Sequence, residues 1–169
     1  MSFSLLPTMI VHSLTDISPE MLRRRGIKLL MLDFDNTIVP YTTNIPEPLM
    51  EQWLYDMKQS DVKICVVSNS KRDRVRIFCK RYGIDCITHA KKPFPKGIRE
   101  CLAKYGVDPS CAALVGDQIF TDVCAGKFNG MRAILVPPIK DKKNAFFKFK
   151  RALERPVLNY YFKKNGMKI

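Results

Sequence analysis

The chain has 169 residues, which is enough for one hydrophobic core of ordinary size, so a single compact unit is the default expectation. It carries 29 basic and 16 acidic residues, and the formal charge of +13 favours anionic partners. No apolar run reaches the roughly eighteen residues that suggest a membrane span, and the first residues lack the basic leader and cleavage pattern of a signal peptide.

Short apolar runs alternate with amphipathic segments along the chain. The runs predict strands at 27–33, 62–67, 85–88, 111–116 and 132–136. The segments between them predict helices at 47–60, 71–82, 96–105 and 119–128. This alternation is typical of an α/β fold in which helices cover both faces of a parallel sheet.

The first predicted strand ends in Asp33-Phe34-Asp35-Asn36-Thr37. Residues i and i+2 of an extended chain point the same way, so both carboxylates can face one pocket beyond the strand. One could attack phosphorus while the other handles protons. Taken alone, such a pentapeptide is also common in solvated loops.

Three later apolar runs also end in polar groups. They are followed by Ser68-Asn69-Ser70, by Lys91-Lys92-Pro93 and by the stretch from Gly116 to Asp122. An open α/β sheet gathers its ligand groups at these strand ends. The ordered series from residue 27 to residue 136 resembles the four motifs of the haloacid dehalogenase (HAD) superfamily. That resemblance implies a Rossmann-like three-layer sandwich with a central parallel sheet.

The resemblance assigns catalytic roles to the acidic residues. Asp33 would be the nucleophile that forms an aspartyl phosphate, and Asp35 would protonate the leaving oxygen and then deprotonate the attacking water. Mg²⁺ would be bound by Asp33, the backbone carbonyl of Asp35 and Asp117. Asp122 would lie behind these ligands and hold a metal-bound water or the lysine. Alternatively, Asp122 is a helix N-cap or a surface acid without a role in the reaction.

The resemblance also predicts the phosphate-binding groups. Ser68 and the backbone amide of Asn69 would bind phosphoryl oxygens, and Thr37 would fix the loop. Read in isolation, Ser68 is a helix N-cap and Thr37 is a helix or turn cap.

Three lysines compete for the motif position, namely Lys91, Lys92 and Lys96. The family pattern places the lysine directly before proline, which favours Lys92. Its ammonium group would offset the charge of the phosphate and of Asp33.

The spacing leaves no room for a cap domain. About thirty residues separate Asp35 from Ser68, which is enough for one helix. A second aspartate at position 35 is what phosphatases and phosphomutases of the superfamily carry, whereas its dehalogenases differ there. We therefore expect a capless phosphatase with an open site that suits a large or surface-embedded substrate.

The six cysteines form no CxxC motif and the chain has two histidines. Unpaired thiols in a reducing cytosol explain them better than disulfides or a zinc site.

The chain after Pro138 differs from the rest, so we predict a phosphatase domain at 1–138 and an extension at 139–169. From Lys140 onward there are ten basic residues against two acidic ones. Phe146, Phe149 and Leu153 recur at helical spacing with Lys143, Lys148, Lys150 and Arg151 on other faces, and Pro156 predicts a break or kink.

Three interpretations of this extension remain open. It could dock on its own domain, it could lie on an anionic membrane as a basic amphipathic helix, or it could contact nucleic acid through phosphates and stacked bases.

A narrower resemblance suggests a substrate. The segment from Leu32 to Pro40, the Gly26–Lys28 lead-in and the GDQIFTD stretch are similar to the phosphatidylglycerophosphate phosphatase group of subclass III. That group implies an enzyme that converts phosphatidylglycerophosphate to phosphatidylglycerol. The cysteines favour a cytoplasmic enzyme, and the basic tail beside an open site suggests a peripheral position on the inner face of the membrane. The alternatives are a phosphatase for nucleic-acid ends, phosphoproteins or soluble phosphomonoesters, and a non-catalytic binding module.

Overall fold

A computed structural model of the chain describes residues 4–71, 73–140 and 145–166. The strands in this part are β1 (Met9–Ile10), β2 (Leu29–Leu32), β3 (Lys63–Val67), β4 (Asp85–Ile87), β5 (Ala112–Gly116) and β6 (Arg132–Leu135). The helices are α1 (Pro19–Arg24), α2 (Pro48–Gln59), α3 (Arg74–Tyr82), α4 (Lys96–Tyr105), α5 (Cys124–Phe128) and α6 (Ala145–Lys164).

The six strands form one parallel sheet in the order β1-β6-β5-β2-β3-β4. Strand β2 is buried throughout and pairs with β5 on one side and β3 on the other. Alternate side chains of β2 pack into two different hydrophobic cores. Leu30 and Leu32 pack with residues of α1, α2 and α3, and Leu29 and Met31 pack with residues of α4 and α5. The predicted three-layer α/β fold is confirmed.

Two short elements near the start were not predicted from the sequence. Strand β1 adds two residues to the sheet beside β6, which is too few to show an alternating pattern. Helix α1 has six residues and is capped by Ser18, whose side chain accepts a hydrogen bond from the Met21 amide. Such short elements show little hydrophobic periodicity in the sequence, and which of their residues are buried depends on the rest of the fold.

The helix predicted at 119–128 is not uniform. It opens with a wider π-helical turn, Ile119–Val123, in which the Val123 amide donates to the Gln118 carbonyl five residues back. Only Cys124–Phe128 is a regular α-helix. A π-turn is common near functional sites because it re-aims a side chain, and here it carries Asp122.

Of the two outcomes predicted at Pro156, a break or a kink, the break is wrong, since α6 continues through this proline to Lys164. Proline removes one helical hydrogen bond, but tertiary contacts hold the helix on both sides of it. Glu154 is buried before the proline, and Val157, Leu158 and Tyr161 pack after it. Of the predicted tail residues, Lys143 and the side chain of Phe146 lie outside the described part of the chain.

The connection from β2 to β3 holds a loop and the single helix α2, so no cap domain is inserted there. The start of α4 packs tightly against the loop that carries Lys92. A Cβ atom at Gly97 would lie 2.7 Å from the Ala90 backbone, so a larger residue would push this loop away. Across residues 4–71, 73–140 and 145–166, no helix is long and apolar enough to cross a membrane.

Candidate active site

A cavity of about 230 Å³ opens at the carboxyl edge of the sheet, where the loops after β2, β3, β4 and β5 converge. Six of the side chains predicted for the site line it: Asp33, Asp35, Ser68, Asn69, Lys92 and Asp122. Asp117 borders an adjoining cavity, and Thr37 lines a third one beside the segment from His12 to Leu14.

Lys92 forms the centre of the polar cluster. Its Nζ atom lies 2.7 Å from Asp33 Oδ1 and 2.8 Å from Asp122 Oδ1. Lys92 is buried, whereas Lys91 and Lys96 are exposed. Burial alone would lower the pKa of Lys92, but the carboxylates of Asp122 and Asp33 raise it above the ordinary value. The lysine is therefore held as a cation between two acids.

Three buried carboxylates, those of Asp33, Asp117 and Asp122, offer oxygens within 4.8 Å of one another. Burial raises the pKa of Asp33 to about 7, with Lys92 acting in the opposite direction. Burial, reinforced by the Asp122 charge, raises the pKa of Asp117 to about 6. The cluster holds more negative charge than its surroundings neutralise, and hard oxygen ligands of this kind suit Mg²⁺.

A cation from the protein already contacts this cluster. Arg151 Nη2 donates to Asp117 Oδ2 at 2.5 Å, and Arg151 Nη1 also donates to the Asp117 carbonyl. The Asp117 carboxylate is therefore placed to bind positive charge, and these residues fit a divalent metal ion.

Asp122 reaches the cluster because residue 116 is glycine. A Cβ atom there would lie 2.2 Å from Asp122 Cγ, which no real structure tolerates. The Gln118 amide donates to Asp122 Oδ2 at 3.1 Å and fixes the carboxylate. Its other oxygen then points to Lys92.

Asp35 is held by a residue that the sequence analysis did not identify. Arg74 Nη1 lies 3.2 Å from Asp35 Oδ1. The same guanidinium donates to the carbonyls of Tyr41 and Thr43 at 2.7 and 2.6 Å, so it ties the loop after β2 to the start of α3. The sequence around Arg74 contains no motif that would predict its contact with Asp35.

Asn69 has a second contact besides the predicted use of its backbone. Its side-chain amide donates to the Lys92 carbonyl at 2.9 Å and its Oδ1 accepts from the Lys92 amide at 2.6 Å. Asn69 therefore fixes the backbone of the lysine. Ser68 is buried, and its Oγ accepts from the Ser70 amide.

Thr37 does not face the cavity that holds Asp33. It is buried, and its Oγ1 has no hydrogen-bond partner within the described residues. Its proposed part in phosphate binding therefore remains a prediction that these contacts do not support.

Helix α6 borders the site, which is a feature that the expectation of an open site did not include. Buried Glu154 accepts a hydrogen bond from the Ile119 amide at 2.8 Å and another from Arg151 at 2.9 Å. Lys150 donates to Gln118 Oε1 at 2.6 Å, and Phe147 and Lys150 line the cavity. A hint in the sequence is that Glu154 is the one acid among the six basic residues of the stretch that forms α6.

Comparison with known proteins finds several phosphatases that are similar to this chain. Residues 2–140 match the family model described as mitochondrial PGP phosphatase. The chain is 32% identical to the probable phosphatase YqeG of Bacillus subtilis, over 91% of this chain and 90% of that protein. It is 30% identical to phosphatidylglycerophosphate phosphatase 1, chloroplastic/mitochondrial, of Arabidopsis thaliana, over 96% of this chain but 49% of that protein.

Solved structures share the fold. The 3-deoxy-D-manno-octulosonate 8-phosphate phosphatase of Yersinia pestis superposes with a TM-score of 0.54 at 15% identity, covering 86% of this chain and 90% of that one. A HAD-superfamily hydrolase of Ehrlichia chaffeensis gives a TM-score of 0.53 at 15% identity, covering 78% and 98%.

We predict that Mg²⁺ stabilises the protein more at pH 8 than at pH 5. The folded-state pKa values of Asp33 and Asp117, about 7 and 6, exceed the ordinary value of 3.8. Their contribution to folding stability is thus fully present below about pH 4 and is lost as pH rises through 6 and 7. Mg²⁺ at about 100 times its Kd should restore stability at pH 8 and raise Tm by about 5–10 °C, measured by calorimetry.

Asp117→Asn should remove most of this Mg²⁺ effect, whereas Glu100→Gln, an exposed position on α4, should retain it. An equal rise in Tm for both variants would exclude Asp117 as a metal ligand.

Proposed function

Since the chain belongs to the mitochondrial PGP phosphatase family of the HAD superfamily, we propose that it is a Mg²⁺-dependent phosphomonoester hydrolase that converts phosphatidylglycerophosphate to phosphatidylglycerol. The observation that carries the proposal is the buried set of Asp33, Lys92, Asp122 and Asp117 at the carboxyl edge of the sheet. Binding alone would need neither a nucleophile nor a paired acid, so the presence of Asp35 and Ser68 beside this set argues against a non-catalytic module.

In the proposed reaction Asp33 attacks phosphorus, and the bond to the leaving oxygen breaks as Asp35 donates a proton to that oxygen. Lys92 binds Asp33 Oδ1 and so leaves Oδ2 for the attack. Asp35 then takes a proton from the water that hydrolyses the aspartyl phosphate, and Asp33 is regenerated. Arg74 holds Asp35 in place through both steps.

The phosphoryl oxygens carry charge that the site must balance. Lys92 supplies one positive charge, and Ser68 with the Asn69 backbone amide supplies hydrogen bonds. Mg²⁺ would be held by Asp33, Asp117 and the carbonyl of Asp35, and when bound it would offset charge on the transferring group. Arg151 would give up Asp117 Oδ2 to the ion.

The outer face of α6 supports a lipid substrate. Phe149, Leu153 and Tyr160 are 63%, 49% and 59% exposed and recur at helical spacing. Helix α6 carries six basic residues and one acid, so this stripe lies on a cationic helix. A basic amphipathic helix of this kind suits the headgroup region of an anionic bilayer.

Other exposed apolar side chains belong to the same edge of the fold. Ile45, Leu49, Phe94 and Ile139 follow the carboxyl ends of β2, β4 and β6 and are 41–69% exposed. Exposed apolar side chains at this edge would rest on a membrane and bring the site close to a headgroup. In this account the enzyme is cytoplasmic and peripheral on the inner face of the membrane.

The direct test is phosphate release from phosphatidylglycerophosphate in mixed micelles, with Mg²⁺ and with EDTA. We expect Mg²⁺-dependent release that exceeds release from p-nitrophenyl phosphate and from a 3′-phosphorylated oligonucleotide. Asp33→Asn should lower kcat by at least ~10⁴-fold because the nucleophile is lost, while its circular dichroism stays unchanged. Activity restricted to the oligonucleotide would discard the lipid substrate, and release by Asp33→Asn would discard the mechanism.

Membrane contact is tested on the outer face of α6. The triple variant Phe149→Ser, Leu153→Ser, Tyr160→Ser should bind anionic vesicles at least ~10-fold more weakly, because each buried side chain contributes roughly 1.5–3 kcal/mol. Sedimentation with vesicles measures this. Deletion of the whole tail is a poorer test because it would also remove Arg151 and Glu154.

The matched control is Tyr55→Ser with Ile77→Ser, two exposed apolar positions on α2 and α3. If the control and the α6 variant lose the same vesicle affinity, α6 is not the contact surface.

A further inference from the structure

A second cavity of about 440 Å³ lies next to the one that holds Asp33. Phe147 lines both cavities, and the adjacent residues Asp117 and Gln118 border the second and the first respectively. Residues of α6 and of the segment after β6 line the second cavity, among them Leu158 and Lys140. Of its lining residues, the proposed reaction uses only Asp117 and Arg151.

The charge of this cavity is strongly positive. Among the described residues, Lys140, Lys148, Arg151 and Arg155 line it, and the one acid that does so, Asp117, is already bound by Arg151. Within the described residues, Lys140, Lys148 and Arg155 form no ion pair, so about three positive charges face the space without a partner. A concave surface of this kind attracts an anion.

The basic residues of α6 are arranged to act together. Lys148, Arg151 and Arg155 follow one another at spacings of three and four residues, so they share one face of the helix. That face is held on the body of the protein by Glu154, which binds the Ile119 amide. The cationic face therefore has a fixed position relative to the reactive cavity.

The anion that fits here differs from the phosphate that reacts. Asp33, Asp35 and Ser68 line the first cavity, and none of them lines the second. The reacting phosphate also has its own cation in Lys92. Pro138, Phe147 and Leu158 give the second cavity apolar walls. A ligand that fits it therefore carries a carbon-containing part next to its anionic group.

We propose that this cavity binds a second phosphate of the substrate, carried as a phosphodiester, while the terminal phosphomonoester reacts at Asp33. Arg155 and Lys148 contact the phosphodiester, and the short carbon linker between the two phosphates passes Phe147. This inference rests on the proposed phosphatase activity and makes the cavity the determinant of substrate choice. The enzyme then selects molecules that carry two phosphates in this order.

The test compares two soluble substrates, so that a bilayer plays no part. One is p-nitrophenyl phosphate, and the other is deacylated phosphatidylglycerophosphate, which keeps both phosphates. In the double variant Lys148→Gln, Arg155→Gln, the ratio of kcat/KM for the two-phosphate compound to that for p-nitrophenyl phosphate should fall at least about tenfold, mainly through KM. Hydrogen bonds from charged donors to the phosphodiester are lost in this variant.

The matched control is Lys163→Gln with Lys164→Gln, which removes two charges from the exposed last turn of the same helix. A control ratio that falls as far as the cavity variant's would show a general charge effect and overturn the proposal. The proposal would also be overturned if the kcat/KM ratio of the cavity variant stayed at the wild-type value. It would likewise be overturned if this variant lost activity only on anionic vesicles.

Binding gives a readout that does not depend on turnover. In the Asp33→Asn background, calorimetry should show the deacylated compound binding about tenfold more weakly after the Lys148 and Arg155 substitutions. If the wild-type protein hydrolyses neither substrate, the phosphatase proposal fails while this titration still decides the cavity. Equal Kd values with and without the two substitutions would overturn the second-phosphate site.

Discussion

The excess of buried negative charge at the carboxyl edge of the sheet is the constraint on which the site depends. Oxygens of Asp33, Asp117 and Asp122 lie within 4.8 Å of one another, and Lys92 and Arg151 offset only part of their charge. Removing one partner of such a buried group typically costs about 3–5 kcal/mol, because the remaining charge stays desolvated. The neighbouring structure therefore has to hold every member of the cluster in place.

The parallel sheet achieves this by bringing distant parts of the chain to one edge. The Asp33 amide donates to the Val115 carbonyl, so the residue that follows β2 is joined directly to β5, the strand that precedes Asp117. Asn69 fixes the Lys92 backbone, and Gly116 leaves room for Asp122. The acids and the lysine are thus positioned by neighbours that need have no chemical role themselves.

Helix α6 connects this charge balance to the surroundings of the protein. Its inner face supplies Arg151 and Glu154 to the loop after β5. Its cavity-facing side carries Lys148 and Arg155, which form no ion pair with another described residue, and its outer side carries exposed Phe149 and Leu153. In our account one helix therefore completes the site, selects the substrate and rests on the membrane.

The sequence predicted the parts of this arrangement that follow a local rule. Asp33, Ser68 and Asp117 each come directly after an apolar run, Lys92 lies in the loop after a short predicted strand, and a parallel sheet collects such residues at one edge. The position of Lys92 before proline separated it from Lys91, which is exposed.

Contacts between distant segments could not be predicted in this way. Arg151 meets Asp117 across 34 residues and Arg74 meets the loop after β2 across more than 30, and no periodic pattern encodes either pairing. The same holds for Pro156, where the local rule predicted a break and the packing of Glu154 and Tyr161 outweighed it.

The central claim is that Asp33 carries the phosphoryl group during turnover. Acid quenching during hydrolysis, followed by borohydride reduction, converts an aspartyl phosphate to homoserine, and peptide mass spectrometry locates it. The account predicts homoserine at position 33 only, dependent on substrate and absent from Asp33→Asn. Homoserine at position 35 or 117, or none at any position while phosphate is released, would contradict it.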